Sequence, residues 1–128
     1  MNAGEIKQVV KDRYSKCAEM GGGKESCCCP SEAPTSLSFA AEHGLYGQEE
    51  LSLISEIALN LSKGCGNPTG FADLKPGEVI VDFGCGAGID VILASHKVGP
   101  SGKVVGVDFA QQMIERAKQA VTETGLTD

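Results

Sequence analysis

The sequence predicts an α/β fold in which a parallel sheet is wound with crossover helices, and three observations carry that prediction. Val79-Ile80-Val81 and the set Val104, Val105, Val107 are short apolar runs of β-branched residues, as in strands covered on both faces. Residues 89–98, and then Met113, Ile114, Ala117, Ala120 and Val121, repeat apolar side chains at helical spacing. The resulting order β-α-β-α joins parallel strands through a helix, which fixes a right-handed crossover and an open α/β sheet.

The elements follow in chain order. Residues 5–18 read as one amphipathic helix, because Ile6, Val9, Val10, Arg13, Tyr14 and Cys17 share a face, and Gly21-Gly22-Gly23 stops it. Residues 24–47 are rich in Ser, Gly, Pro and Cys and predict a long loop, of the kind that is functional or disordered. One short helix is expected over residues 48–57, with Glu49 and Glu50 at its positive end. Asn67-Pro68 is a helix start, with Asn as cap and Pro in the first turn, leading into a helical turn through Asp73. Lys75-Pro76-Gly77 then turns the chain into the first strand, and Gly99-Pro100 ends the helix that follows it.

Composition narrows the function. The 128 residues suffice for one domain of ordinary size. A formal net charge of −6, with no basic patch, argues against nucleic-acid or anionic-membrane partners. No apolar run approaches the ~20 residues that span a bilayer, and the first ten residues lack the pattern of a signal peptide. A cytoplasmic location is therefore expected. The six cysteines are then read first as free thiols, ligands or catalytic groups rather than as staples. Five of them, Cys17, Cys27, Cys28, Cys29 and Cys65, precede the first strand. Thiolates in such number suit soft centres such as zinc, copper(I) or trivalent arsenic. No C-x-x-C pair of a zinc ribbon occurs, so no resident metal is expected, and incidental thiols remain the alternative. His43 and His96 read as surface or core-edge residues.

The chemistry concentrates in Asp82-Phe83-Gly84-Cys85-Gly86-Ala87-Gly88, where a strand ends in closely spaced glycines and opens a helix. Backbone bared in this way lets a ligand approach where side chains would block it. A dinucleotide site wants G-x-G-x-x-G, but Ile89 occupies its third glycine position and Gly88 comes one residue early. The run D-x-G-x-G-x-G resembles the first motif of class I S-adenosylmethionine-dependent methyltransferases. That ligand carries no phosphate, so an acid at the strand end, Asp82, is tolerated where a pyrophosphate would be repelled. Asp108 closes the second strand about twenty residues past the glycines, where a carboxylate accepts both hydrogen bonds of a ribose diol. Phe109 follows and is positioned for the adenine face. Cys85 lies inside the turn, where a small residue is required, and reads as structural.

A wider resemblance covers most of the chain. Gly64-Cys65-Gly66-Asn67-Pro68-Thr69, then Leu74-Lys75-Pro76-Gly77-Glu78-Val79, the glycine motif, and the run from Val98 to Asp108 are similar to the arsenite S-adenosylmethionine methyltransferases. The resemblance implies a Rossmann-like class I methyltransferase fold, truncated after the second βα unit and carrying a helical and loop N-terminal extension. Residues 1–66 would be that cysteine-rich segment, and 67–128 the first part of the cofactor-binding domain. It implies S-adenosylmethionine as cofactor, and trivalent arsenic, as a thiol adduct, for substrate, with a thiol reductant as partner. Cys65 matches the family's cysteine in the Gly-Cys-Gly-Asn-Pro context. The other N-terminal cysteine would be Cys27, Cys28 or Cys29. By resemblance these two exchange thiol bonds with arsenic, or form a disulfide during turnover, together with a downstream pair that holds the metalloid. The arsenic lone pair would then attack the sulfonium methyl.

The sequence departs from the family at three places. Phe109 stands where Met is common, and Leu61-Ser62-Lys63 replaces the usual residues ahead of Cys65. The downstream cysteines and later strands lie past the last residue, Asp128, so a fragment inactive on its own is expected. Two other readings compete: a methyltransferase for a small organic acceptor with incidental cysteines, and a thiol-rich metalloid-binding module without activity.

Overall fold

The structure, a computed structural model, describes residues 1–21, 44–61 and 66–126. Helix α1 spans Ala3–Glu19. It begins where Asn2 Oδ1 accepts from the Glu5 amide (3.0 Å) while the Glu5 carboxylate accepts from the Asn2 amide (2.7 Å). This reciprocal pair satisfies two amides that a helix start leaves free. The stripe expected to bury this helix is sunk only at its C-terminal end: Cys17 and Ala18 are buried, whereas Ile6, Val9, Val10 and Tyr14 stay exposed.

Residues 48–57 do not form one helix. Helix α2 covers Gln48–Leu53 and α3 covers Glu56–Leu61. Between them Ile54 is extended and buried, and Ser55 Oγ accepts from the Ala58 amide at 3.3 Å. A serine here offers the backbone an alternative to helical continuation and restarts the next helix as its cap. Helix α4, Pro68–Phe71, begins as expected, with Asn67 Oδ1 accepting from the Gly70 amide at 2.9 Å. It stops at Ala72, which is extended, short of the expected Asp73.

Strand β1 (Val79–Phe83) and strand β2 (Lys103–Val107) pair in parallel, with Asp82 opposite Gly106 and Phe83 opposite Val107. Helix α5 (Ile89–Val98) makes the crossover and packs on both strands, and helix α6 (Gln111–Glu123) follows β2. This parallel β-α-β-α unit is the α/β architecture that the apolar runs predict. The expectation that both sheet faces are covered does not hold. Val79, Val81, Phe83, Val105 and Val107 share one face and are exposed, Phe83 at 81%. The opposite face, carrying Ile80, Asp82, Val104 and Gly106, is the half-buried one.

The core gathers around α5, whose Ile92 and Leu93 pack among Ala58, Leu59 and Leu61 of α3, Tyr46, Ile54 and Ala120 of α6. A second cluster of Cys17, Ala18, Ala110 and Met113 fastens α1 to the start of α6. There Arg116 Nε donates to the Ala18 carbonyl at 2.8 Å, supplying a cation at the negative end of α1. Cys17, 1% exposed, is disulfide-bonded rather than a free thiol. The reading of the six cysteines as free thiols, ligands or catalytic groups before staples is therefore corrected for Cys17. Among the described residues no helix is long and apolar enough to cross a membrane.

Candidate functional site

The glycine turn after β1 is built by three glycines with distinct duties. Gly84 and Gly86 have φ of +81° and +52°, and a Cβ at either would enter open space. Gly88 (φ +91°) faces α6 instead, where an added Cβ would lie 3.2 Å from the Ala117 Cβ. The first two glycines therefore bare backbone toward a cavity, while the third lets α5 and α6 approach. Gly88→Ala should lower stability by about 1–3 kcal/mol through backbone strain, before the Ala117 contact is counted. Thermal melting against the wild-type protein checks it.

Asp108 holds this turn. Its Oδ2 accepts from the Gly86 amide at 3.0 Å and its Oδ1 from the Ala110 amide at 2.9 Å. A carboxylate has about four acceptor positions, so each oxygen keeps one for a ligand hydroxyl. Gly84 and Cys85 amides both donate to the Val107 carbonyl, at 2.7 and 3.1 Å, which binds the turn to the end of β2.

A cavity of about 660 Å³ opens in front of the turn, within the size range of small-molecule sites. Of the sequence-predicted residues, Gly84, Cys85, Gly86, Asp108 and Phe109 line it, but Asp82 and Gly88 do not. Phe109 is exposed and meets Tyr14 edge-on, ring centroids 6.2 Å apart, so α1 contributes an aromatic wall at the Asp108 end. Tyr46, Gly66, Asn67, Pro68, Phe71 and Asp90 line it as well. Cys27, Cys28, Cys29 and Cys65 lie outside the described residues, as does His43; His96 is exposed on α5. Among the described residues no group of three or more His, Cys, Asp or Glu side chains could hold a metal ion.

Electrostatics single out acids. Burial raises the Asp82 carboxyl, and the nearby Asp108 charge raises it further. Burial, then Asp108 and Asp82, push the Cys85 thiol up to about 11. It therefore stays protonated at neutral pH, consistent with its expected structural place in the turn. A Cβ on Gly106 would lie 2.9 Å from the Cys85 Sγ, so the small residue on β2 makes room for this side chain.

Sequence reasoning did not find Asp90, Tyr46 or Asn67 as parts of the cavity wall. Asp90 reads in sequence as one more acid in the first turn of a helix, and Tyr46 as part of a loop. Their meeting depends on tertiary packing of α5 against the segment ahead of α2. Asn67 was expected only as a cap. Its Nδ2 also donates to the Leu45 carbonyl (2.8 Å) and the Glu50 carboxylate (3.2 Å).

The fit to a sulfonium nucleoside rests on open space before Gly84 and Gly86, on the Asp108 carboxylate beside it, and on acids without a basic neighbour in the described lining. Comparisons of the sequence with known proteins agree. Residues 74–128 match a family described as a methyltransferase domain. An arsenite methyltransferase of Halobacterium salinarum (strain ATCC 700922 / JCM 11081 / NRC-1) is 34% identical over 93% of this chain and 32% of its own. The aklanonic acid methyltransferase DauC of Streptomyces sp. (strain C5) is 48% identical over 39% of this chain and 23% of its own. A crystal structure of a SAM-dependent methyltransferase from Aquifex aeolicus is similar at 30% identity, covering 62% of this chain and 42% of that one, with a TM-score of 0.44. The chain thus spans about a third of the length of the arsenite methyltransferase that it matches. The chain is thus similar to methyltransferases, arsenite methyltransferase-like over most of its length, and the cofactor that this similarity implies is S-adenosylmethionine.

Proposed function

We propose that the chain serves S-adenosylmethionine-dependent methyl transfer to trivalent arsenic, with Cys65 and one of Cys27, Cys28 and Cys29 as the thiolates that handle the metalloid. The observation that carries this reading is the extent of the match. The arsenite methyltransferase is similar over 93% of the chain and so takes in the cysteine-bearing N-terminal segment. The nocamycin, aklanonic acid and demethylmenaquinone methyltransferases match 42%, 39% and 42% of the chain, a stretch too short to reach from Cys29 to Gly88. Thiolates are the side chains that bind soft arsenic, and a thiol reductant would return them after each cycle.

In this reading Asp108 receives the ribose diol on its two spare acceptor positions, and Phe109 with Tyr14 flanks the base. Gly84 and Gly86 admit the cofactor to the backbone, while Asp82 and Gly88 act from behind the turn. When bound, the cofactor supplies an electrophilic methyl on a positively charged sulfur. The chain's own contribution is to hold both reactants in place, which converts a bimolecular encounter into an oriented one. The reading places the work in the cytoplasm, where a reduced thiol pool is at hand.

The test uses methyl-labelled cofactor with arsenite and a thiol reductant. In the protein that carries the family's downstream cysteines, label should appear in methylated arsenic. There Cys65→Ser should slow this at least about tenfold while leaving cofactor affinity unchanged. Full activity in that variant would make Cys65 structural. Label on a quinone or phenolic acceptor, with none on arsenic, would favour the second reading, a small organic acceptor as in the polyketide and quinone relatives.

A further inference from the structure

The chain has six aromatic residues, and four of them, Tyr14, Tyr46, Phe71 and Phe109, line the cavity in front of the glycine turn. Three of the four are already engaged. Tyr46 is buried and its hydroxyl donates to the Gly66 carbonyl at 3.0 Å, while Tyr14 and Phe109 meet edge-on. Phe71 differs. It is 92% exposed, more than any other large apolar residue among the described ones, so its ring packs on almost nothing.

The backbone that carries this ring is fixed nonetheless. Phe71 is the last residue of α4. On one side of it Asn67 Oδ1 caps the Gly70 amide, and on the other the Ala72 amide donates to the Pro68 carbonyl at 2.9 Å. The Thr69 carbonyl accepts from Lys97, which fastens α4 to the crossover helix α5. The ring can therefore turn about its own side-chain torsions without any movement of the main chain. A single exposed apolar side chain is ordinary on a protein surface. One that stands in the wall of a ligand-sized cavity, on a fixed mount, is placed to exchange water for a guest. Burial of an aromatic ring outweighs the ordering of its two torsions.

We propose that Phe71 is a cofactor-contact residue, its ring packing on S-adenosylmethionine in the cavity and screening it from water. The inference rests on the cofactor reading and extends it to a residue ahead of β1, outside the glycine motif. The cofactor presents a purine face and the carbon groups around its sulfur, surfaces that an aromatic ring covers. Its positive charge suits a ring face as well, in a lining whose described residues include Asp90 and Asp108 and no base. Exclusion of water would strengthen every electrostatic contact inside the cavity.

Fluorescence tests this, because the chain has no tryptophan and Phe71→Trp supplies a single emitter at the position in question. Adding S-adenosylhomocysteine, the demethylated form of the cofactor, should move the emission to shorter wavelength and shield it from acrylamide. Emission that stays unmoved while calorimetry shows the same variant saturated overturns the proposal. Phe71→Ala should weaken S-adenosylmethionine and S-adenosylhomocysteine by about tenfold or more, through lost apolar burial. It should leave the melting temperature of the unliganded protein unchanged, since the ring is exposed there. Phe71→Leu, which keeps much of the apolar surface, should recover part of the affinity. Unchanged affinity in the alanine variant overturns the proposal, and so does a lowered melting temperature without ligand, which would make Phe71 structural. An emission shift with arsenite and none with the nucleoside would assign the ring to the methyl acceptor, and overturns it too. If the wild-type protein binds neither nucleoside in calorimetry, the cofactor reading itself falls.

Discussion

Gly86→Val should abolish measurable cofactor binding. Gly86 sits at φ +52°, a region in which a β-branched residue is a genuine outlier costing about 1–3 kcal/mol. The space that a Cβ would enter is empty of protein atoms within 4 Å, so the valine methyl groups would stand in the cavity itself. Strain and blockage act in the same direction. At about 1.4 kcal/mol per factor of ten, the two together predict a loss of at least about a hundredfold in affinity. Calorimetric titration with S-adenosylmethionine reads it directly. Gly86→Ala separates the causes, since alanine brings the strain with far less bulk. A Gly86→Val protein that binds as the wild type does would remove the glycine turn from the cofactor site.

Asp108→Ala should cost nearly as much, by a different route. The substitution deletes the acceptors for a ribose diol and leaves the Gly86 and Ala110 amides without their partner. Hydrogen bonds to a charged group contribute about 1.5–3 kcal/mol each, so affinity should fall by about a hundredfold or more. Two amides deprived of their acceptor should also lower the melting temperature, which a mere loss of ligand contact would not do. Asp108→Asn keeps one acceptor oxygen and should fall between wild type and alanine on both readouts. Unchanged affinity in the alanine variant would place the nucleoside elsewhere.

Much of this site is legible in the sequence because its parts are close in the chain or regular in period. The run from Val79 to Gly88 announces a strand, a bend and a helix by residue type alone. Asp108 is legible because a strand of fixed length must end there. What sequence does not carry is which face of an element finds a partner. Two apolar strand runs suggested burial on both sides, yet Val81, Phe83 and Val107 stand exposed, because the helix that covers the sheet does so from one side only. Ile54 and Ser55 look like helix interior until burial of the isoleucine and capping by the serine oxygen separate α2 from α3. The pairing of Tyr46 with Asp90 is invisible for the same reason: neither residue has a partner within reach of local pattern. Gly88 counted as one glycine among three, but its contact with Ala117 belongs to helix packing and not to the ligand.

Asn67 shows what such long-range contacts do once formed. Its side chain has four hydrogen-bonding positions, and all are engaged: two by the Leu45 carbonyl and Glu50, two by the Thr69 hydroxyl and the Gly70 amide. One amide thereby rivets the segment before α2, α2 itself and the start of α4 into a single plate. Tyr46 and Asn67 of that plate line the chamber, so these parts of its wall cannot drift independently. Whatever displaces the chain at residue 67 tilts Tyr46 and Glu50 with it, and the room left for a guest changes as a whole.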